Sequence, residues 1–311
     1  MNESTALIQF SGKWQDAAGA WLAEVAQRTG SERTPQEYAR LLGRFLAGVG
    51  DPLLAMPAHV HEFAYATGPS GKTPSASTTN VRLAAVSSFY SFLERMDLVA
   101  LNPAAKVRHP HPHAPTPKGL TAPEMRRLLA MIADTPVGLR DRAIVVTCVL
   151  TGLRRAEVMG LRKRDLTTNG AVYYQCRAKG GVERHRELPA PAFHAIVRAL
   201  EAQGRPLPDL ADDDYLFFRK EHANLPPGDN LKPGSFAANL KRYLKKAGLP
   251  ASGMHVLRHT AAKLRREGGS SIEDVSALLG HASIATTARY LARLEGQDDN
   301  GWYAPAAALG L

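Results

Sequence analysis

Residues 254–291 read M-H-V-L-R-H-T-A-A-K-L-R-R-E-G-G-S-S-I-E-D-V-S-A-L-L-G-H-A-S-I-A-T-T-A-R-Y-L, and this stretch decides how the second half of the chain is read. Three helical segments run through it. The first opens after Ser252 and Gly253 and stops at Gly268–Gly269, since Ser is a common N-cap and Gly a common terminator. The second opens at Ser271 with Asp274 three residues on, a variant of the capping box. Ile272, Val275, Leu278 and Leu279 form its core stripe and Gly280 ends it. The third covers about residues 283–293.

The polar residues here need an explanation beyond packing. His255 and Arg258 are three apart and share a helix face. They sit in the first turn, where backbone N–H groups and the dipole favour an anion. A guanidinium there can grip two phosphate oxygens at once. His281 follows the stop of the second helix, and Tyr290 lies midway along the third. Arg, His and Tyr gathered around one phosphate would suit attack by a phenolic oxygen on phosphorus. Taken singly, H-x-x-R also fits a solvated helix face, and a helical Tyr also fits a core residue with a wet tip.

Outward from this stretch, the 311 residues suggest two domains. At 44% hydrophobic residues the chain can build packed cores. No apolar run approaches the roughly 18 residues of a membrane span, and the start lacks a signal-peptide pattern. Cys148 and Cys176 lie in apolar contexts and read as buried free thiols; the lack of Cys clusters argues against structural zinc. A reducing cytoplasm is expected. The net charge is +10, of which residues 119–311 carry +8 and residues 1–118 only +2. That balance fits a polyanionic partner, nucleic acid first, although ordinary solubility charge is the plainer reading.

The N-terminal third reads as all-helical. Trp14, Ala18, Trp21, Leu22 and Val25 share one face of a helix over 13–26. A second helix follows Thr34–Pro35, with Tyr38, Leu41, Leu42, Phe45 and Leu46 inward. Residues 68–77 are a loop. A third helix spans about 78–96, with Val81, Ala85, Phe89, Phe92 and Leu93 inward. Residues 109–118, H-P-H-P-H-A-P-T-P-K, are a Pro-rich linker. Its His109, His111 and His113 alternate with other residues, Pro among them, so an extended linker is preferred to a metal site.

The second domain opens with a capping box at Thr121 and Glu124. A buried helix covers 140–150. In T-G-L-R-R-A-E (151–157), Arg154 and Glu157 are three apart, so Glu157 can orient Arg154; a surface ion pair is the plainer alternative. Residues 171–188 shift to β-prone runs around Lys179-Gly180-Gly181, a hairpin with Lys179 at its turn. Such a tip is ordinarily solvated, but a two-stranded ribbon also fits a DNA groove. After a helix from 191 to 203, a basic amphipathic helix covers 235–247. Phe236, Leu240, Tyr243 and Leu244 face inward; Lys241, Arg242, Lys245 and Lys246 contact phosphates or form a solvated face.

Arg154 in T-G-L-R, Lys179 in A-K-G-G, His255 and Arg258 in H-V-L-R-H-T, His281 in L-L-G-H and Tyr290 in T-T-A-R-Y occur in an order and context that resemble the tyrosine recombinase (phage integrase) family. The resemblance covers residues 119–291. T-P-Q-E-Y-A-R-L-L-G-R-F-L and V-R-L-A-A-V-S-S-F-Y-S-F-L look like the family's helical core-binding domain. Val182 departs from the pattern, since relatives often have Lys after K-G-G.

The resemblance implies a mainly α fold with a small β-sheet. A helical core-binding domain (1–108) would precede the linker (109–118), an α+β catalytic domain (119–294) and a tail (295–311) that docks into a neighbouring subunit or, on the plainer reading of its apolar residues, packs on its own domain. It implies a site-specific recombinase that cuts and rejoins DNA through a 3′-phosphotyrosyl link to Tyr290. Arg154 and Arg258 would stabilise charge on the phosphate, with His281 donating to the same oxygens. Lys179 would protonate the leaving 5′-oxygen and His255 would assist the proton at the tyrosine. Glu157 is expected in support, and Arg82, Lys241, Arg242 and Lys245 as DNA contacts. No metal and no cofactor are implied. The partner would be double-stranded DNA with paired recombination sites. The protein would be a homotetramer on DNA and a monomer or weak oligomer when free, with no membrane. A type IB topoisomerase and a non-catalytic DNA-binding protein on the same fold are the alternatives; the helical first domain and the complete residue set weigh against them. With 118 residues before the catalytic domain, Xer-type or mobile-element recombinases fit better than the lambda-integrase type.

Overall fold

The structure is a computed structural model that describes residues 12–30, 33–68, 71–111, 119–177, 183–218, 231 and 233–280. Two compact units emerge, Met1–Pro115 and Thr116–Leu311.

The first unit holds α1 (Gly12–Thr29), α2 (Arg33–Val49), α3 (Pro57–Tyr65) and α4 (Ala76–Arg95). Its core is aromatic. Trp21 stacks on Tyr38 at 5.9 Å and meets Phe89 edge-on at 5.2 Å. Trp14, Ala18, Trp21 and Val25 of α1 are buried, as their spacing requires. Helix α3 has no counterpart in the sequence reading. It starts with Pro57 at its first position, and the Met56 N–H donates to His59 Nδ1 at 3.2 Å.

Helix α4 buries Ala85, Phe89, Phe92 and Leu93 as expected, but departs from expectation at its N-terminal end. Val81, expected inward, is 43% exposed, whereas Arg82 is 5% exposed. Arg82 Nη1 donates to the carbonyls of Phe63, Ala64 and Ala66, the last at 2.6 Å. The last carbonyls of a helix lack intrahelical donors and attract a cation. Arg82 therefore caps α3. This corrects its expected place as a phosphate contact, because its guanidinium faces the protein.

The second unit is built on α6 (Pro136–Thr151), whose buried residues run from Gly138 to Thr151. Around it lie α5 (Ala122–Ala130), α7 (Arg155–Gly160), α8 (Ala190–Ala202), α9 (Pro233–Lys246), α10 (His255–Glu267) and α11 (Ile272–Leu279). The capping boxes expected at Thr121–Glu124 and Ser271–Asp274 are both formed. Cys148 and Cys176 are both buried and form no disulfide with each other, and burial pushes the Cys148 thiol up to about 12.

A three-stranded antiparallel sheet, ordered β1-β2-β3, comprises β1 (Leu166–Asn169), β2 (Ala171–Arg177) and β3 (Glu183–Glu187). The expected hairpin is β2–β3, with Arg177 opposite Glu183 and Tyr174 opposite Arg186. Strand β1 is additional. Gly170, at φ 71°, turns the chain from β1 into β2. The fold is thus mainly helical with one small sheet, as expected.

Helix α9 is anchored from beneath. Asp141 is fully buried on α6 and pairs with Arg140, itself 4% exposed. The carboxylate also accepts from Asn239 Nδ2 at 2.7 Å and the Tyr243 hydroxyl at 3.0 Å. This leaves Lys241, Arg242, Lys245 and Lys246 on the exposed side of α9.

Candidate active site

The site begins where α6 ends. Gly152 adopts a left-handed conformation (φ 65°), and its N–H donates to the Cys148 carbonyl at 2.9 Å. A Cβ added there would lie 3.1 Å from Leu279 Cδ2 and 3.4 Å from the Leu278 side chain. The ends of α6 and α11 therefore abut, and glycine satisfies both the turn and the close approach.

Arg154, two residues on, is the N-cap of α7. Glu157 Oε2 accepts its backbone N–H at 2.6 Å and Oε1 accepts Nη1 at 3.0 Å. The two side chains do meet, but not across a helix face. Arg154 precedes the helix, so one carboxylate caps α7 and aims the guanidinium together. The other arm, Nη2, donates to the Gly280 carbonyl at 3.3 Å. The Arg154 side chain stays 31% exposed, so its guanidinium is accessible to an anion.

Arg258 lies in the first turns of α10 and is 7% exposed. Its Nη1 donates to the Gly152 carbonyl and its Nη2 to the Leu279 carbonyl. One planar fork thus ties the end of α6 to the end of α11, an arrangement suited to guanidinium geometry. Both arginines expected from the sequence converge on residues 279–280. The next residue in the chain is His281.

His255 opens α10. Burial holds its imidazole below the ordinary value of 6.5, and the charges of Arg258, Arg155 and Arg154 push it further down. Arg155 is a member of this cluster that the sequence reading missed; its only signal was adjacency to Arg154. A depressed value leaves the ring neutral at pH 7 and able to accept a proton. The protonated fraction grows as pH falls, so proton acceptance is lost only on the acid side of 6.5. The expected NMR titration of His255 in the free protein has its midpoint below 6.5, and Arg155→Gln moves it upward. A midpoint at or above 6.5 would contradict the crowding of cations around the ring.

Lys179, His281 and Tyr290 lie outside the described residues. Among the described residues, no three His, Cys, Asp or Glu side chains gather as a metal site would need. Of the linker histidines, His109 Nδ1 lies 3.0 Å from Asn80 Oδ1; His113 is outside the described residues. None of the described helices is long and apolar enough to cross a membrane.

A small β-sheet among helices, with two fixed guanidiniums and a neutral imidazole in one region, is a framework for binding and activating a phosphate. The chain belongs to the phage integrase family, whose model matches residues 118–296. It is similar to the tyrosine recombinase XerC of Myxococcus xanthus, 34% identical over 216 residues that cover 67% of this chain and 69% of that one. The XerC of Mesorhizobium japonicum is 29% identical and covers 91% of this chain and 93% of its own. In fold it resembles XerH recombinase bound to difH substrate in a pre-cleavage complex (TM-score 0.66, 20% identity, 99% and 91% covered). A lambda integrase dimer bound to a COC′ core site is similar too (TM-score 0.68, 18% identity, 92% and 97% covered). The protein is accordingly a tyrosine recombinase of the Xer type, an enzyme of site-specific DNA recombination.

Proposed function

We propose that the chain exchanges strands between two paired recombination sites on double-stranded DNA, as a homotetramer assembled on those sites, with Tyr290 as nucleophile. The observation that carries this reading is the convergence of Arg154 and Arg258 on the end of α11. The phenolic oxygen of Tyr290 attacks phosphorus; a tyrosyl O–P bond forms and the P–O5′ bond breaks. The phenolic proton passes to His255, whose ring is held neutral. Lys179 delivers a proton to the departing 5′-oxygen. Arg154 and Arg258 stabilise charge on the non-bridging oxygens, with His281 as a further donor. The covalent link conserves the phosphodiester energy, so the 5′-hydroxyl of the partner strand reverses the step without ATP.

In this reading residues 1–108 form the core-binding domain, 119–294 the catalytic domain, and 295–311 a tail that docks into the neighbouring subunit. Free of DNA, the protein is a monomer or weak oligomer in the cytoplasm. The exposed Lys241, Arg242 and Lys245 approach the DNA backbone, where each phosphate bound adds salt dependence.

The test is to incubate the protein with sheared DNA from its own cell, denature in SDS, and sequence the DNA that stays attached. Recovery of a recurrent site, with the 3′ end linked to the peptide containing Tyr290, is expected. Linkage at another residue, or through the 5′ end, overturns the assignment. On that site, Lys179→Ala should cleave at least ~10²-fold more slowly. A substrate with sulfur at the bridging 5′ position has a leaving group that needs no proton, and should restore the rate. Equal defects on both substrates give Lys179 another role. EDTA should change neither rate; a loss on chelation points to a metal.

A further inference from the structure

The last turn of α11 accepts a third arginine that the chemistry above does not use. Arg186 Nη2, from β3, donates to the Ala277 carbonyl at 2.5 Å. Leu279 and Gly280, two and three residues on, accept from Arg258 and Arg154. Three guanidiniums from three parts of the fold therefore hold one helix end: β3, α10 and the N-cap of α7.

The arrangement has a physical cause. The final carbonyls of a helix carry the negative end of its dipole, and α11 is closed by Gly280 in a left-handed conformation (φ 60°). Its last turn also lacks a basic residue of its own. The missing positive charge comes from elsewhere in the fold. Arg186 lies opposite Tyr174, which is 2% exposed, so it projects from the packed face of the sheet. Its bond spans 91 residues of sequence, from strand to helix end.

We infer that Arg186 is a positioning residue for recombination: by holding the Ala277 carbonyl it locks β3 to the end of α11, the anchor that aims Arg154 and Arg258 at the reacting phosphate. This rests on the proposed role of those two arginines. In this role Arg186 acts through the Ala277 carbonyl and not on the reacting atoms themselves. Two guanidiniums that share a helix end can match one phosphate only if that end does not shift. A displacement of about 1 Å at a catalytic group is enough to cost roughly 10²-fold in rate. The same bond joins the helix end to the strand that follows Lys179 in the chain. Loss of the bond therefore slows chemistry more than it weakens DNA binding.

The experiment uses the full-length protein, the site recovered by covalent capture and single-turnover cleavage over a range of protein concentration. Arg186→Met keeps an unbranched apolar stem and removes the donor; Arg186→Lys keeps a donor within reach of a carbonyl. The expected result for Met is a maximal rate lower by ~10- to 100-fold with half-saturation changed less than about threefold, and recovery of most of the rate in Lys. Amide exchange at Leu279 and Gly280 should quicken in Met and return in Lys. A Met variant that cleaves at the wild-type rate overturns the inference. So does a fall in affinity matching the fall in rate in both variants, since Arg186 would then serve folding or binding alone. Wild-type protein that yields no tyrosyl adduct on any captured DNA fails separately: it removes the proposed chemistry, and the inference with it.

Discussion

Arg258→Ala is expected to slow DNA cleavage by at least about 10³-fold, the scale on which an arginine contributes to phosphoryl transfer. Two losses combine. In its proposed role the guanidinium would no longer face the developing charge on the phosphate, and its two bonds to Gly152 and Leu279 are withdrawn. Taking a donor from buried carbonyls costs roughly 1–3 kcal/mol each, so the variant should also melt earlier. Arg258→Lys separates the effects. A lysine reaches one carbonyl as a point charge and should recover part of the melting temperature. It lacks the planar fork that spans two oxygens, so cleavage should stay at least about tenfold below wild type. The measurement pairs a thermal melt with single-turnover cleavage on the captured site. A lysine variant that regains both stability and full rate would show that charge alone suffices, and would remove the bidentate role.

How far these features were legible in the sequence follows the distance over which each is specified. The capping boxes at Thr121–Glu124 and Ser271–Asp274 were readable because both partners lie within one helical turn. The β2–β3 hairpin was readable from its change of period. Strand β1 had a signal that went unused: Asn169-Gly170 between β-prone runs is a hairpin turn by composition. Helix α3 also had one, Pro57 at its first position. The exchange of Val81 and Arg82 is different. The rest of the stripe on α4 is buried as expected, and at this one turn Arg82 is drawn inward by carbonyls at the end of another helix. The resemblance named Arg154 and Arg258 as phosphate ligands, and Glu157 was readable as the local partner of Arg154, yet nothing local says what ties either arginine to the ends of α6 and α11. Their anchors are 126 and 106 residues away in sequence, and backbone carbonyls carry no residue identity to recognise. Arg186 was invisible for the same reason.

The buried pair beneath α9 should carry the largest effect on stability. Asp141 is fully buried with Arg140 at 2.8 Å, and Arg140 Nη1 also donates to the Phe218 carbonyl at 3.3 Å. Removing one partner of such a pair strands the other charge inside, which costs about 3–5 kcal/mol. Asp141→Leu is therefore expected to lower unfolding free energy by that amount in urea melts. Arg140→Met with Asp141→Leu removes both charges and should regain a large part of it, because the desolvation cost of the ions disappears with them. A double variant as unstable as the single would show that the hydrogen bonds to Asn239 and Tyr243, not the stranded charge, set the cost. Those bonds also reach the surface: Asn239 Oδ1 accepts from Arg242 at 2.6 Å, so the buried carboxylate orients a cation on the exposed face of α9. Both variants should therefore show a lower salt slope of DNA binding if Arg242 binds a phosphate, by about one ion for each phosphate left unpaired. Tyr243 adds an alkaline limb. Burial first, and then the Asp141 carboxylate, push its hydroxyl from 10.0 up to about 12. The folded state holds that proton more tightly than the unfolded chain. The corresponding stability is complete below pH 10 and is lost as pH rises through about 12. Tyr243→Phe should flatten this limb while leaving the melt near pH 7 closer to wild type than Asp141→Leu does. An unchanged alkaline limb in Tyr243→Phe would place the titrating group elsewhere in the fold.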